Sequence, residues 1–244
     1  MREAGVKPLP GHVGRLDAET SGLILVTEDT LLLRAILNWP RILAAYGGRV
    51  LEKRYSLLLL GKHEPSSPQL AMLGDPLIHH RGGKEYHSKA VEVIHHGCFQ
   101  DVGLCTGDAT LIDRTDDEQV ERDRAKLATQ RIPAISRATG EPVPLYVPAD
   151  GWCTRVELVL SQGRHRQIRR LCVRANLKLL HLKRLSVGPI SLDSAGAEEM
   201  RPGEVRELAR EEKEALFEAS LPRLLSGEVS REHYREIEWD EEDV

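Results

Sequence analysis

The sequence predicts an α+β fold in which strands and short helices follow one another along the chain. Apolar runs with turn-forming residues at both ends indicate strands. Apolar residues spaced three and four positions apart indicate helices. With 244 residues and 41% hydrophobic content, the chain can bury a sizeable core. No run approaches the roughly 18 apolar residues that a membrane helix needs, and the first residues do not resemble a signal peptide. We therefore expect an intracellular protein, cytoplasmic unless a missing upstream segment directs it to an organelle.

The N-terminal part of the chain reads as a mixture of strands and one helix. After the loop GHVGRLDAETSG, residues 23–29 (LILVTED) are typical of a buried strand. Residues 30–39 (TLLLRAILNW) predict a short helix that ends before Pro40. Two further strands are predicted at 52–61, where a glycine ends the run, and at 84–96, where apolar and polar residues alternate.

The character of the chain changes after residue 96. The charge run DRTDDEQVERDRAK and the proline-rich PAISRATGEPVPLYVPADG predict a surface insertion at 97–150, partly helical and partly irregular. It is either a solvated excursion without chemistry or an element that contacts RNA or a partner protein. The remaining elements are predicted as a strand at 152–163, an amphipathic basic helix at 164–177, a strand with a Gly188-Pro189 turn at 177–192, a helix at 204–219 and an acidic tail at 220–244.

The net charge of −4 argues against a nucleic-acid partner only if its distribution is ignored. Between Leu158 and Leu192 there is no Asp or Glu, whereas acidic residues are concentrated elsewhere, notably in the tail. The same stretch contains Arg164, Arg166, Arg169, Arg170, Arg174, Lys178, Lys183 and Arg184. We therefore predict a basic face that binds a polyanion and coexists with an acidic end.

The cysteines and histidines do not form a recognisable metal motif. The four cysteines lack CxxC pairing and regular spacing, so we expect reduced thiols rather than a zinc knuckle or a disulfide framework. Six residues cluster along the chain: His79, His80, His87, His95, His96 and Cys98. Adjacent histidines would point to opposite faces of a strand, so we interpret them as surface residues flanking a loop and predict no metal.

The stretch GRLDAETSG raises the question of what Asp17 does. An aspartate in a turn before a strand often accepts backbone N–H bonds and has no further role. A nucleophilic aspartate must instead stay ionised in a water-poor pocket, for which a neighbouring arginine fork is suited. The segment QGRHRQIRR supplies such arginines, although it is equally consistent with a helix that only binds phosphates. Different arginines can serve the two roles.

Together these stretches resemble the motifs of pseudouridine synthases. VGRLDAETSGLILVTED resembles the family's signature, EKRY its short tyrosine motif, and QGRHRQIRRLCVRANLKLLHLKRLSVGPISL the second signature of the RsuA-type branch. SKAVEVI and PGEVRELAREEKEAL resemble the strand before that second signature and the C-terminal helix. The similarity covers most of 13–96 and 152–218, in the right order. It implies an α+β catalytic fold, with a largely antiparallel mixed sheet flanked by helices.

The resemblance also implies a domain organisation. We expect a single catalytic domain over 1–244, and its parts are an N-terminal part at 1–96, the insertion at 97–150, a C-terminal part at 151–219 and the acidic tail. Four departures from the family pattern are visible. VKPLPGHVG is no more than a remnant of the usual Lys-Pro-x-Gly segment, and we expect no S4-type RNA-binding module. Glu28-Asp29-Thr30 replaces the usual Asn-Asp-Gly, and the insertion at 97–150 is atypical.

Residue roles follow from the same resemblance. Asp17 is expected to be the catalytic nucleophile, Tyr55 to stack on the uracil, and Arg169 to pair with Asp17. Arg15 is expected to fill the space that the flipped uridine leaves. The phosphate-binding residues would be Arg164, Arg166, Arg170 and Arg174.

The implied activity is isomerisation of a uridine to pseudouridine, which we expect in ribosomal RNA. The reaction needs no redox change, so no cofactor or metal is expected, and we expect a monomer without a membrane partner. No residue stands out as the base for the proton on C5. Two alternatives stay open: an inactive RNA-binding or ribosome-assembly protein that keeps the fold, and a protein-interaction module built on the insertion and the tail.

Overall fold

The computed structural model describes residues 10–17, 20–81, 84–100, 134–135, 142–143, 152–192, 200 and 203–237. The strands are β1 (Gly11–Val13), β2 (Ser21–Gly22), β3 (Leu25–Thr27), β4 (Lys53–Leu60), β5 (Leu77–Arg81), β6 (Lys84–Ser88), β7 (Glu92–Gln100), β8 (Ala134–Ile135), β9 (Pro142–Val143), β10 (Trp152–Leu160), β11 (Lys178–Val187) and β12 (Ile190–Ser191). The helices are α1 (Thr30–Ile36), α2 (Pro40–Tyr46), α3 (Pro68–Ala71), α4 (Gln167–Arg174), α5 (Arg210–Ser220) and α6 (Pro222–Leu225), followed by a short 3-10 helix (Arg231–Arg235). The predicted α+β class is confirmed.

A mixed sheet contains most of the long strands. Its order is β12-β11-β4-β10-β7, and β2 pairs in parallel with β11. The β11–β12 pair is antiparallel, as are the separate two-stranded pairs β1–β3, β5–β6 and β8–β9. Apart from 97–100, β8 and β9, the predicted insertion lies outside the described residues.

Internal packing divides the chain into two compact units. Unit 1 comprises Met1–Tyr55, Val159–His165 and Lys183–Val244, and unit 2 comprises Ser56–Leu158 and Arg166–Leu182. Strands β4, β10 and β11 contribute residues to both units. The single catalytic domain over 1–244 stays a prediction. None of the described helices has the length and hydropathy to span a membrane.

The core of unit 1 is built around one face of α1. Leu31, Leu32, Ala35 and Ile36 are buried on that face because they recur at helical spacing. The other buried members of this core are Val13, Leu23, Leu25, Ile42, Tyr46, Leu51, Val187, Ile190, Leu216, Ala219 and Leu221. Three of them, Val13, Leu23 and Leu25, come from the strands and turn that flank the GRLDAETSG loop. The loop therefore begins and ends on the core.

Both ends of α1 are fixed by local hydrogen bonds. The Asp29 carboxylate accepts from the backbone N–H groups of Leu31 and Leu32, at 3.1 Å each, and caps the helix. At the other end Asn38 has a φ of 64°, and its N–H donates to the carbonyl of Ala35. The predicted helix at 30–39 therefore ends earlier than expected. Pro40 is the first residue of the next helix, α2, where a proline is favoured because the first turn needs no backbone N–H donor.

Two predicted elements differ from the sequence pattern because of distant contacts. The strand predicted at 84–96 is two strands, β6 and β7, and between them the Ala90 N–H donates to the Leu73 carbonyl. The helix predicted at 204–219 begins only at Arg210. There the Glu212 carboxylate accepts from the Ala209 N–H at 2.8 Å and from two nitrogens of Arg206 at 2.7 Å each, which fixes the helix start.

The described residues of the predicted acidic tail, up to residue 237, are folded. Val229, Tyr234 and Ile237 pack against the unit 1 core. Tyr46 donates its hydroxyl hydrogen to the Ser230 carbonyl at 3.2 Å, and Arg231 contacts the Asp29 carboxylate at 2.7 Å. Burial raises the pKa of Asp29, but the bond from Arg231 and those from the helix N–H groups lower it further, so its net shift is downward.

We predict that Asp29→Ala lowers the free energy of unfolding by about 2 kcal/mol, because it removes a helix cap and an ion pair together. Asp29→Asn retains a capping oxygen and should cost about half as much. Urea unfolding of the three proteins measures both values. Equal losses in the two variants would show that the cap contributes nothing.

Candidate active site

The loop between β1 and β2 carries the predicted nucleophile. Arg15 is exposed and Asp17 is half-buried. The Thr20 N–H donates to the Asp17 carbonyl at 2.9 Å. Ala18 and Glu19 lie outside the described residues. The backbone of Asp17 is therefore held by a hydrogen bond within the loop that runs from Gly14 to Gly22.

Arg184 holds the two ends of this loop and does not lie on the predicted basic face. Its side chain is 1% exposed, in unit 1. Its Nε donates to the Leu23 carbonyl at 2.7 Å, and Nη2 donates to the Val13 carbonyl at 3.4 Å. The prediction that Arg184 contributes to a surface for polyanions is therefore wrong. A run of arginines without acidic neighbours does not reveal which of them is buried.

Tyr55 lies on β4, on the buried side of the strand. Lys53 is 3% exposed and Tyr55 is 8% exposed, whereas Arg54 between them is exposed. This alternation follows from the two-residue period of a strand. The EKRY motif therefore places a lysine and the predicted uracil-stacking tyrosine on the same face, and the sequence analysis assigned no role to that lysine.

Lys53 is a buried cation in the same unit as Asp17. Burial, and after it the charge of nearby Arg184, lower the pKa of Lys53 from 10.5 to about 8. Unit 1 thus encloses two positive side chains, Lys53 and Arg184, whose like charges disfavour each other.

The second motif begins in a loop that belongs to unit 1. The Asn38 side chain donates to the carbonyls of Leu51 and Ser161, at 3.0 and 3.1 Å, and thereby holds the end of β10. In the following residues Arg164 donates through Nε to the side-chain oxygen of Gln162 at 2.9 Å. Arg164 is half-buried. The Asn38 amide is thus a structural link that the sequence analysis missed.

The predicted basic helix is confirmed as α4, although it begins at Gln167 instead of residue 164. Ile168, Leu171 and Cys172 are buried on one side, as predicted, and Arg170 is exposed on another. Burial raises the pKa of the Cys172 thiol to about 12, against the smaller effect of Arg169, so this thiol is a poor nucleophile. The apolar side of the helix is buried, and its arginines lie on the other sides.

The arginines around α4 differ in their surroundings. Arg166 is exposed and precedes the helix with a φ of 50°, and Arg169 is half-buried. Arg174 is already engaged within unit 2: its Nη1 donates to the Pro76 carbonyl at 2.6 Å, and its Nη2 donates to the Asp75 carbonyl at 2.7 Å and to that of Met72. Arg170 is therefore the clearest surface residue of the group.

The candidate residues fall into both units. Unit 1 contains Arg15, Asp17, Tyr55 and Arg164, whereas unit 2 contains Arg166, Arg169, Arg170 and Arg174. The pairing of Asp17 with Arg169 joins the two groups and stays a prediction. Within unit 1, the candidate residues thus lie in the β1–β2 loop, at the start of β4 and in the loop that follows β10.

The histidines have partners within unit 2. His95 Nε2 lies 2.9 Å from the His63 carbonyl oxygen, to which the Cys98 thiol donates at 3.3 Å. His96 lies 2.9 Å from the Glu157 carboxylate. The side chains of His79 and His80 are outside the described part. Among the described residues, no group of three or more His, Cys, Asp or Glu side chains could hold a metal ion.

Comparison with known protein families shows which family this chain belongs to. The family model described as RNA pseudouridylate synthase matches residues 2–173. The chain belongs to this family. The matched range includes Arg15, Asp17, Tyr55 and Arg169, so every residue proposed for the chemistry falls in the part of a pseudouridine synthase that the family shares.

Two individual similar proteins are each matched over only part of their own length. The chain is 36% identical over 69 residues to a Bacillus subtilis (strain 168) protein named "Uncharacterized RNA pseudouridine synthase YtzG", which is 28% of this chain and 27% of the relative. A solved structure described as "Crystal structure of pseudouridylate synthase" is 21% identical, with a TM-score of 0.47, and the match covers 85% of this chain and 59% of that one. The chain thus spans less than two thirds of either protein. The RsuA-type branch stays a prediction.

We predict that Lys53→Met is more stable than the wild type at pH 7 by up to about 3 kcal/mol, because it removes a buried charge. The folded state holds the Lys53 proton less tightly than the unfolded state does. The wild type should therefore gain stability as the pH rises from about 8 to 10.5, and the difference between the two proteins should shrink over this range.

Urea unfolding at a series of pH values measures this difference. Lys213→Met, at an exposed position in unit 1, is the matched control and should show no such pH dependence. A constant difference between wild type and Lys53→Met over the same range would contradict the assignment.

Proposed function

We propose that the chain is an RNA pseudouridine synthase that isomerises a specific uridine, in ribosomal RNA, with Asp17 as its nucleophile. The observation that carries this proposal is the placement of Asp17. It is half-buried in a loop whose two ends are held by Arg184, inside the range that matches the family model. A partly accessible carboxylate on a loop that is anchored at both ends suits covalent attack on a bound base.

The chemistry needs groups that this chain has. Conversion of uridine to pseudouridine breaks the N1–C1′ bond, rotates the uracil and forms a C5–C1′ bond, while the proton on C5 is lost and one is gained at N1. Attack by the Asp17 carboxylate on C1′ or on uracil C6 divides this change into two easier steps. Tyr55, buried in the same unit, is suited to stack against the uracil.

The target base must leave the RNA stack before it can react. Arg15 is exposed and lies two positions before Asp17, and we propose that it fills the space that the flipped uridine leaves. Arginine is suited to that role because its planar guanidinium stacks on bases. A uridine in a loop or bulge would cost least to flip, so we propose such a site as the substrate.

The exposed arginines next to α4 are proposed to hold the RNA backbone. Arg170 and Arg166 are exposed, and Arg164 is half-buried nearby in sequence. Side chains of this kind bind phosphates without reading sequence. Arg174 is suited to a supporting role, since its donors serve carbonyls of the 72–76 turn.

We predict that Asp17→Asn abolishes pseudouridine formation while RNA affinity stays within about three-fold, because the amide has the same shape but is not a nucleophile. The measurement is a map of pseudouridines in ribosomal RNA from cells that lack the gene, complemented with each variant. Asp29→Asn, in the same unit, is the control and should restore the modification.

Substantial modification by Asp17→Asn would overturn the nucleophile assignment, once mass spectrometry has excluded deamidation back to aspartate. Loss of the gene without loss of any pseudouridine, together with retained RNA binding, would instead favour the inactive RNA-binding protein.

We predict that Arg170→Gln weakens binding to most RNAs to a similar extent and makes the salt dependence shallower. The plot of log affinity against log salt should lose about 0.7 from its slope, the value for one phosphate contact to a single strand. Arg210→Gln, an exposed arginine on α5, is the control and should leave the slope unchanged. An unchanged slope for Arg170→Gln would show that α4 is not the RNA surface.

A further inference from the structure

The buried guanidinium of Arg184 has no assigned role in the chemistry proposed above, yet it touches both ends of the loop that carries Asp17. It is the largest of the fully buried side chains in the part of the chain that the structure describes. An arginine is costly to bury, and here a second buried cation, Lys53, lies within its electrostatic reach. An apolar side chain of similar volume would fill the core without the desolvation penalty of a buried charge.

The backbone of Arg184 fixes one end of the loop. Strand β2 pairs in parallel with β11, with Gly22 opposite Arg184, and the Leu23 N–H donates to the Arg184 carbonyl at 2.8 Å. The Arg184 side chain then returns to the same place, because its Nε donates to the Leu23 carbonyl at 2.7 Å. The C-terminal end of the loop is thus bound by both the backbone and the side chain of one residue.

The other end of the loop is bound by the side chain alone. Nη2 of Arg184 reaches the Val13 carbonyl at 3.4 Å. A lysine has one ammonium at the end of a flexible stem, so it has no second, rigidly spaced donor with which to join the two carbonyls. The fork of the guanidinium therefore links Val13 and Leu23, which lie ten positions apart in the chain.

Two glycines permit this close approach. A Cβ at Gly22 would lie 2.3 Å from the Arg184 carbonyl oxygen, and the φ of Gly22 is 107°. Gly14 has a φ of 66°, and a Cβ there would lie 3.4 Å from Nη1 of Arg184. Gly22 is thus required by its contact with the Arg184 backbone and by its positive φ, whereas Gly14 is favoured by its positive φ.

We propose that Arg184 is the positioning residue of the active site, which fixes the distance between the two ends of the Asp17 loop and so the position of the Asp17 carboxylate. This inference rests on the proposed function. Arg184 acts through the loop backbone, so its removal should slow the reaction of bound RNA more than it weakens RNA binding.

The experiment compares Arg184→Met and Arg184→Lys with the wild type. Ribosomal RNA purified from cells that lack the gene is the substrate, and single-turnover rates at saturating enzyme are measured beside the Kd. Arg184→Met should lower the rate about 100-fold, the scale of a small misplacement of a catalytic group, with Kd within three-fold. Arg184→Lys should lie between, because it keeps the charge but not the fork.

Hydrogen exchange supplies a readout that does not depend on activity. Peptides covering 13–24 should exchange faster in Arg184→Met, while peptides from α1 and α5 keep their protection. Arg231→Met is the matched control, since it removes an arginine of the same unit whose partner is Asp29. It should change neither the rate nor the exchange of the loop.

The proposal is overturned if Arg184→Met loses no more rate than Arg231→Met, or if exchange of the loop is unchanged. If Arg184→Met does not fold, Arg184→Lys decides by the same two criteria. Faster loop exchange in a protein whose wild type makes no pseudouridine would leave the anchor in place and refute the proposed function. An active wild type with unchanged loop exchange would refute the anchor alone.

Discussion

The contacts of Arg184 with the carbonyls of Val13 and Leu23 are the constraint on which the candidate active site depends. Both carbonyls belong to residues whose side chains are buried in the unit 1 core, where a polar backbone group needs a partner. One guanidinium supplies that partner to both. The loop between them contributes no side chain of its own to this core within the described residues. Its conformation is therefore set by its ends, and through them by an interaction more than 160 residues away in sequence.

Burial of this arginine near the like charge of Lys53 destabilises the folded state. The core of unit 1, which is assembled from distant parts of the chain, offsets this destabilisation. Helix α1 is capped by Asp29, which also binds Arg231 from the C-terminal segment, and Tyr46 reaches Ser230 in the same segment. The residues at 229–237 thus close over the apolar face that supports the loop. A segment that composition alone marks as an acidic tail is a structural part of the unit that holds Asp17.

The elements with a strong local period could be predicted from sequence, as β4, β10, β11, β12 and α4 show. Boundaries that depend on remote partners could not: the break before β7 follows an Ala90–Leu73 bond, and α5 starts where Arg206 meets Glu212. The candidate site likewise has a part that the sequence predicts and a part that it does not. A motif identifies Asp17 and Tyr55, but burial decides the role of each basic residue, and burial is a property of the folded sheet.

The acid-free stretch at 158–192 illustrates what this means for recognition of RNA. Its arginines have different surroundings in the folded protein: Arg184 is buried, Arg174 donates to three carbonyls and Arg170 is exposed. Formal charge along the sequence therefore overstates the charge available to phosphates. With a net charge of −4 and fewer surface arginines than the run contains, long-range attraction alone favours RNA weakly. Under the function proposed above, selection of one uridine would therefore come from the fit of a flipped base beside the Asp17 carboxylate, whose loop is held at both ends by Arg184.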